Sequence, residues 1–270
     1  MKSTITNILL MLTLLLFGCE KVIDVDLNDA HPQVVVEANI SKFPFMAEVK
    51  LSKTGSYFGE GESEKIKDAD VVVGSSLGES FQFTETENGV YKSTEIEPTE
   101  NITYNLTIKT EGEIYESEAT LPPTIPIDSL NYFFDKGFAF FDEGYITRLY
   151  FSDPPNIENF YRIKIYENDT LHDEPDNFIV FDDRLIDGQH IEVTLRGNIF
   201  DVGDTISIQL ISLDKGAFEY FNTFKELINV NPGSAAPANP TSNISNSALG
   251  FFSAWSSDIE TVVIKEQPEK

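Results

Sequence analysis

Three histidines, His31, His172 and His190, and one cysteine, Cys19, are the residues of highest chemical specificity in this chain. No histidine pair has the spacing that sets two imidazoles on one helix face for zinc. No Gly-x-Ser-x-Gly elbow presents a serine nucleophile, and no Gly-rich phosphate cradle follows a strand-like segment. The densest set of oxygen ligands lies where Asp169, Asp173, Glu174 and Asp176 surround His172. Oxygen-rich loops hold calcium when ligand number and turn geometry are specified. Nothing specifies them here. Asp169, Asp173 and Asp176 are therefore weak metal candidates, and the segment reads as a solvated acidic loop. Asp182 and Asp183 would add ligands only if folding brought them near. The Asp24-x-Asp26-x-Asn28 run opens like a calcium loop but carries Asp29 where glycine is needed and Val35 where glutamate is needed. Carboxylate pairs abound, yet nothing sets the roughly 5–9 Å separation that glycoside hydrolysis requires. No catalytic residue and no cofactor is expected.

Cys19 has a chemistry of its own. Lys2 precedes an apolar run from Ile8 to Phe17, broken only by Thr13. A membrane-spanning helix needs roughly 20 residues, about twice this run. Residues 1–18 therefore read as a signal peptide. Leu16-Phe17-Gly18-Cys19 resembles a bacterial lipobox, with Phe17 replacing the usual small or aliphatic residue. The Cys19 thiol is the expected lipidation site, and two or more acyl chains anchor a protein stably. Once it is acylated, no thiol is left for a disulfide or a zinc site. The formal net charge of −26 repels phosphate backbones, so nucleic acid is excluded as a partner. The acidity serves solubility and self-repulsion.

The elements beyond are mostly of period two. Residues 19–32 are an acidic tether. Between residues 33 and 121 short alternating runs recur, such as Ile102, Tyr104, Leu106 and Ile108 against Thr103, Asn105 and Thr107, with Asn88-Gly89 as a turn. This predicts an immunoglobulin-like or transthyretin-like β-sandwich. The stretch 122–126 carries three prolines and reads as a stiff linker. Residues 127–266 form a second β-rich domain. There Tyr161, Ile163 and Ile165 alternate with Arg162 and Lys164, and Ala248–Trp255 and Ile259–Ile264 read as two closing strands. An apolar stripe of period three and four predicts one amphipathic helix over about 215–229, capped by Asp214 and packed on a sheet. The fold class is thus mainly β, with two sandwich-like domains. The long irregular segments lie in the second half, which makes it the expected recognition surface. Phe138, Phe140, Phe141 and Tyr145 are the candidate partner-binding residues, as exposed loop aromatics.

Several features together resemble a Bacteroidota lipoprotein family of unknown function. They are the lipobox followed by acids, the Gln33–Ile40 strand, Gly89-Val90-Tyr91, Gly203-Asp204-Thr205-Ile206, and the stretch from Asn243 to Ala254. Members of that family tend to be encoded beside TonB-dependent outer-membrane receptors. The resemblance implies a lipid-anchored outer-membrane protein, facing the cell surface or the periplasm, with such a receptor as partner. It brings no catalytic residues. Asp-[Ser/Thr]-aliphatic triplets resemble the O-glycosylation acceptors of the same bacterial group and point to Ser129, Thr170 and Thr205. The expected function is that of a non-enzymatic binding accessory in nutrient capture or uptake. The alternatives are an envelope glycan hydrolase or an adhesin-like structural protein.

Overall fold

The computed structural model describes residues 32–55, 63–137, 142–229 and 239–266. In the first half, alternation becomes a one-sided strand at once. Val34, Val36, Ala38 and Ile40 of β1 (Val34–Ser41) are buried, while Glu37 faces out. Strands β2 (Met46–Lys53), β3 (Asp70–Ser75), β4 (Ser80–Glu87), β5 (Val90–Lys92), β6 (Thr103–Thr110) and β7 (Glu113–Thr120) follow. The second half supplies β8 (Ile127–Asp135), β9 (Gly144–Ser152), β10 (Phe160–Glu167), β11 (Thr170–Leu171), β12 (Ile179–Asp182), β13 (His190–Phe200) and β14 (Thr205–Ser212). The single α-helix among the described residues, α1 (Lys215–Ile228), and a long last strand, β15 (Leu249–Val263), complete the chain.

These strands make two sheets. The larger runs β11-β10-β14-β15-β1-β2-β5-β4-β3-β6-β7, with β12 also on β10; the smaller is β13-β9-β8. Within the first half the larger sheet folds over a core that includes Val36, Leu51, Val73, Phe83, Leu106 and Phe252. In the second half, Leu149 and Phe151 of β9 meet Ile163 and Ile165 of β10 and Ile208 and Leu210 of β14, so the small sheet packs sandwich-like on the large one. Burying each such side chain stabilises the fold by roughly 1.5–3 kcal/mol. The proline stretch is tied at both ends, because Leu121 lies in the first core and Ile125 in the second.

The end of the chain differs from the expectation of two strands that close the second half. One strand runs through. Its residues Leu249–Trp255 pair in parallel with β1, and its residues Ser256–Val263 pair antiparallel with β14. Ser256, Ser257 and Asp258 look like a break in sequence, but the polar groups of the last two are used in place. Ser257 Oγ accepts from Gln209 and donates to the Phe43 carbonyl, and Asp258 accepts the Ile127 N–H. The stretch from Asn243 to Ala254 also has a local reason. The Asn243 amide donates to the Phe252 carbonyl and accepts the Phe252 N–H, standing in for a paired strand. A Cβ on Gly216 would lie 2.6 Å from that amide nitrogen.

Gly250 sits at the seam with φ +100°, and a Cβ there would collide with the Val36 carbonyl. We expect Gly250→Ala to cost roughly 3–5 kcal/mol, combining backbone strain with a contact that cannot relax. Urea unfolding checks this. An effect below about 1 kcal/mol would mean the β1–β15 seam is looser than described.

Candidate functional site

The alternation of β10 places Tyr161, Ile163 and Ile165 in the core and turns Arg162 and Lys164 to the opposite face. Alternation alone does not say what covers that opposite face. In the structure α1 lies over it. The Asp214 carboxylate caps the helix by accepting the Ala217 N–H at 3.1 Å, and it accepts the Ala254 N–H of β15 at 3.1 Å. One side chain thus starts the helix and pins it to the sheet. Burial pushes this carboxyl up to about 6, against the backbone donors that lower it. Phe218 stacks on Phe160 with centroids 4.5 Å apart, and Tyr220 and Phe221 each lie 4.8 Å from Phe251.

The two cations of β10 are caught at the helix's edge. The Arg162 guanidinium carbon lies 4.4 Å from the Phe178 ring centroid and 4.6 Å from that of Phe221. Burial lowers Arg162 to about 10. Burial, followed by repulsion from Arg162, lowers Lys164 to about 8. Neither forms an ion pair or a hydrogen bond among the described residues, in a chain with 45 acidic residues. Two cavities flank them. One, of about 290 Å³, is walled by Tyr220, Phe221, Phe224, Phe251 and Trp255, with Glu37 at its rim. The other, of about 240 Å³, reaches His172 and Asp173 beside the β10–β11 turn. Arg162, Lys164 and Phe224 line both. The His172 Nε2 is 2.9 Å from Glu167. No serine, threonine or cysteine lines either chamber among the described residues. The arrangement offers cationic donors and aromatic faces, which is the chemistry of binding an anion with an apolar body.

The residues expected from sequence fall elsewhere. Cys19, Phe138, Phe140 and Phe141 lie outside the described residues. Tyr145, expected as an exposed loop anchor, is instead 6 % exposed in β9, edge-on to Tyr132 and Phe134. The strand begins at Gly144, earlier than its pattern suggests, because Tyr145 has an apolar cluster to enter. Thr170 is exposed in β11, whereas Ser129 and Thr205 are half-buried in β8 and β14. Asp169, Asp173 and Asp176 belong to no three-carboxylate group among the described residues. The group that does form is Asp153, Asp183 and Asp187, whose oxygens lie within 4.8 Å of one another. Each is already engaged: Asp153 by Tyr161 and the Gly188 N–H, Asp183 by the Asn159 N–H, and Asp187 by the Asn156 N–H. Burial raises Asp183 above the usual carboxylate range. This set staples two loops together.

Sequence reasoning also missed two constellations. Ser152, His190 and Asp128 meet on the small sheet, but one imidazole nitrogen, Nδ1, faces both the hydroxyl and the carboxylate, and Ser152 donates directly to Asp128 at 2.8 Å. A proton relay needs the two ring nitrogens on different partners, so this is a surface polar cluster. The turn between β1 and β2 presents Phe43 and Phe45, 57 % and 52 % exposed. It is held by Ser41 Oγ donating to the Pro44 carbonyl and Ser257 Oγ donating to the Phe43 carbonyl, both at 2.6 Å.

The molecule is therefore a mainly β protein which, among the described residues, has two sheets and one α-helix that roofs a cationic, aromatic groove. A family match covers residues 20–261, and the chain belongs to that family, described as a domain of unknown function, DUF4249. Comparison with curated proteins returned no match. No helix among the described residues is long and apolar enough to cross a membrane.

Two variants check the electrostatics. Because Lys164 is lowered in the fold, the unfolded chain binds more protons between about pH 8 and about 10.5, so its contribution to stability rises with pH across that window. Lys164→Met should raise stability near pH 7 by on the order of 1–3 kcal/mol and flatten that rise. Asp214 has the opposite sign. Its raised carboxyl makes the fold bind more protons between about pH 4 and about 6, so its contribution falls as pH rises. Asp214→Asn should gain on wild type by on the order of 2 kcal/mol across that interval. Melting curves of each pair against pH read both.

Proposed function

We propose that this chain is an acylated cell-envelope lipoprotein, tethered at the outer membrane through Cys19. It works as a non-enzymatic binding subunit beside a TonB-dependent receptor in nutrient capture or uptake. The observation that carries this reading is the groove under α1, where cationic donors without a counter-charge and aromatic walls meet. Well-formed apolar pockets with a few convergent polar groups are where proteins take small ligands. The similarity of the lipobox and of the Asn243–Ala254 stretch to Bacteroidota lipoproteins supports the setting. The Phe43–Phe45 turn supports a receptor contact, since exposed aromatics on a pinned backbone lose little entropy on docking.

The test is co-purification of the adjacent-gene receptor from detergent-solubilised envelopes. Wild type should partition into detergent and bring the receptor with it. Cys19→Ala should leave the detergent phase but stay folded. Replacing Phe43 and Phe45 by alanine should keep stability within about 1 kcal/mol, as exposed sites do, and should lower receptor recovery at least about tenfold, the loss of about 1.4 kcal/mol of binding. If the lipidated wild type purifies without a receptor, the accessory role is wrong.

A further inference from the structure

We propose that the groove under α1 selects a small organic monoanion, a carboxylate held between Arg162 and Lys164 whose planar apolar body lies against Tyr220, Phe221 and Phe224. This rests on the reading of the protein as a binder and names its ligand class.

Four observations converge on it. The first is the placement of the cations. Arg162 and Lys164 are two residues apart on one strand, so their Cα atoms are roughly 7 Å apart on the same face. That is a like-charge pair under a helix roof, and each cation costs free energy to bury there. The second is the absence of a counter-charge. Two other partly buried titratable groups nearby have an oppositely charging neighbour: His172 has Glu167 at 2.9 Å, and Asp182 has Arg184 at 2.7 Å. Arg162 and Lys164 have none among the described residues. A protein with so many carboxylates leaves two cations unmatched where a carboxylate from elsewhere can enter.

The third is shape. The cations stand between two chambers of about 290 and about 240 Å³. Together these approach the size of ordinary small-ligand sites. The fourth is the wall chemistry. Phe224 lines both chambers, and Tyr220, Phe221, Phe251 and Trp255 continue the apolar surface away from the cations. A ligand anchored by its charge at β10 therefore has aromatic faces to lie on. Rim acids restrict the charge it can carry: Glu37 on the first chamber and Asp173 on the second oppose a second negative group.

The test uses the full chain with Cys19→Ala, which removes the expected acylation site, and three probes: phenylpropionate, its neutral amide phenylpropionamide, and inorganic phosphate. Calorimetry gives affinities. Trp255, the chain's one tryptophan, lines the groove and reports entry by its emission. Phenylpropionate should bind and change Trp255 emission. The amide and phosphate should each bind at least about tenfold more weakly. Lys164→Met and Arg162→Gln should each weaken phenylpropionate roughly ten- to a hundredfold, the loss of one charged donor. Melting curves separate this from unfolding, and Lys164→Met is the decisive variant because it is expected to stabilise the fold.

A pH series adds a second reading. The ionisable groups around Lys164 are Arg162, Tyr166, Tyr220, Glu37, His172 and Asp173. Affinity should fall as pH rises through the range where the Lys164 ammonium is lost, about 8 in the empty groove. Lys164→Arg, which stays charged, should retain affinity and flatten the profile. If the amide binds as tightly as the acid, or if phosphate does, the organic-anion class is wrong while the groove stands as a binding site. If no probe binds or alters Trp255 emission at up to about 10 mM, about −2.7 kcal/mol by affinity arithmetic, the groove is not a binding site, and the binding reading falls with this one.

Discussion

Backbone pairing along β15 is the constraint on which the rest of this molecule depends. A strand has two hydrogen-bonding edges and two faces, and this one uses all four. Its N-terminal half gives Phe252 and Ala254 to the first core and Phe251 and Trp255 to the helix. Its C-terminal half carries the pairing onward to β14. The two halves of the chain therefore share one continuous sheet. A parallel β1–β15 pair needs a long return connection, and here everything from β2 to α1 supplies it. The cost is local. Gly250 is the one residue type whose missing Cβ lets the strand approach Val36 in that conformation.

The helix roof follows from that strand. Asp214 holds it by accepting one donor from the helix and one from β15, so helix position and strand position are set by a single carboxylate. The roof converts an ordinary solvent-facing set of side chains into a half-closed one. Arg162 answers with two aromatic faces, an interaction worth about 0.5–2 kcal/mol each depending on desolvation. Lys164 has no such answer. Stability alone would favour a methionine or leucine there, as buried ionic groups often give way to well-packed apolar ones without loss. Lys164 is held against that preference at the junction of two cavities, where the anion we propose would supply the counter-charge it lacks.

The legibility of the chain divides along the same line. Alternation in β6 and β10, the Asn88-Gly89 turn, the Asp214 cap and the aromatic stripe of α1 are each local patterns with one physical reading, and each element is where its pattern puts it. Local pattern does not say what covers a face. The same alternation that correctly turned Arg162 and Lys164 away from the core did not say that α1 would lie over them. Ser256-Ser257-Asp258 failed for a related reason, since distant partners let polar residues stay within a strand: Gln209 and Ile127 serve Ser257 and Asp258 from about 48 and about 131 residues away. Tyr145 was read as loop because the glycines and aromatics before it carry no period. It is a core residue of β9. The clue that was available is compositional: two cations two residues apart on an otherwise apolar strand, in a chain this acidic, invite the question of what they face.

The acidity and the groove then fit one account. Surface charges act over about 10 Å at ordinary salt, so the charge of −26 does not erase the field of two cations enclosed by aromatic walls. It acts earlier, on what approaches. A polyanion meets repulsion over the whole surface and at Glu37 and Asp173 on the rims, and it is turned away before it reaches β10. A small monoanion is screened on approach and meets unpaired donors only inside, where low polarity strengthens each contact. The general charge and the two exceptions to it thus work in series: the first rejects the highly charged, and the second admits the singly charged with an apolar body. Selectivity of this kind needs both the excess of acid outside and the absence of acid beside Arg162 and Lys164.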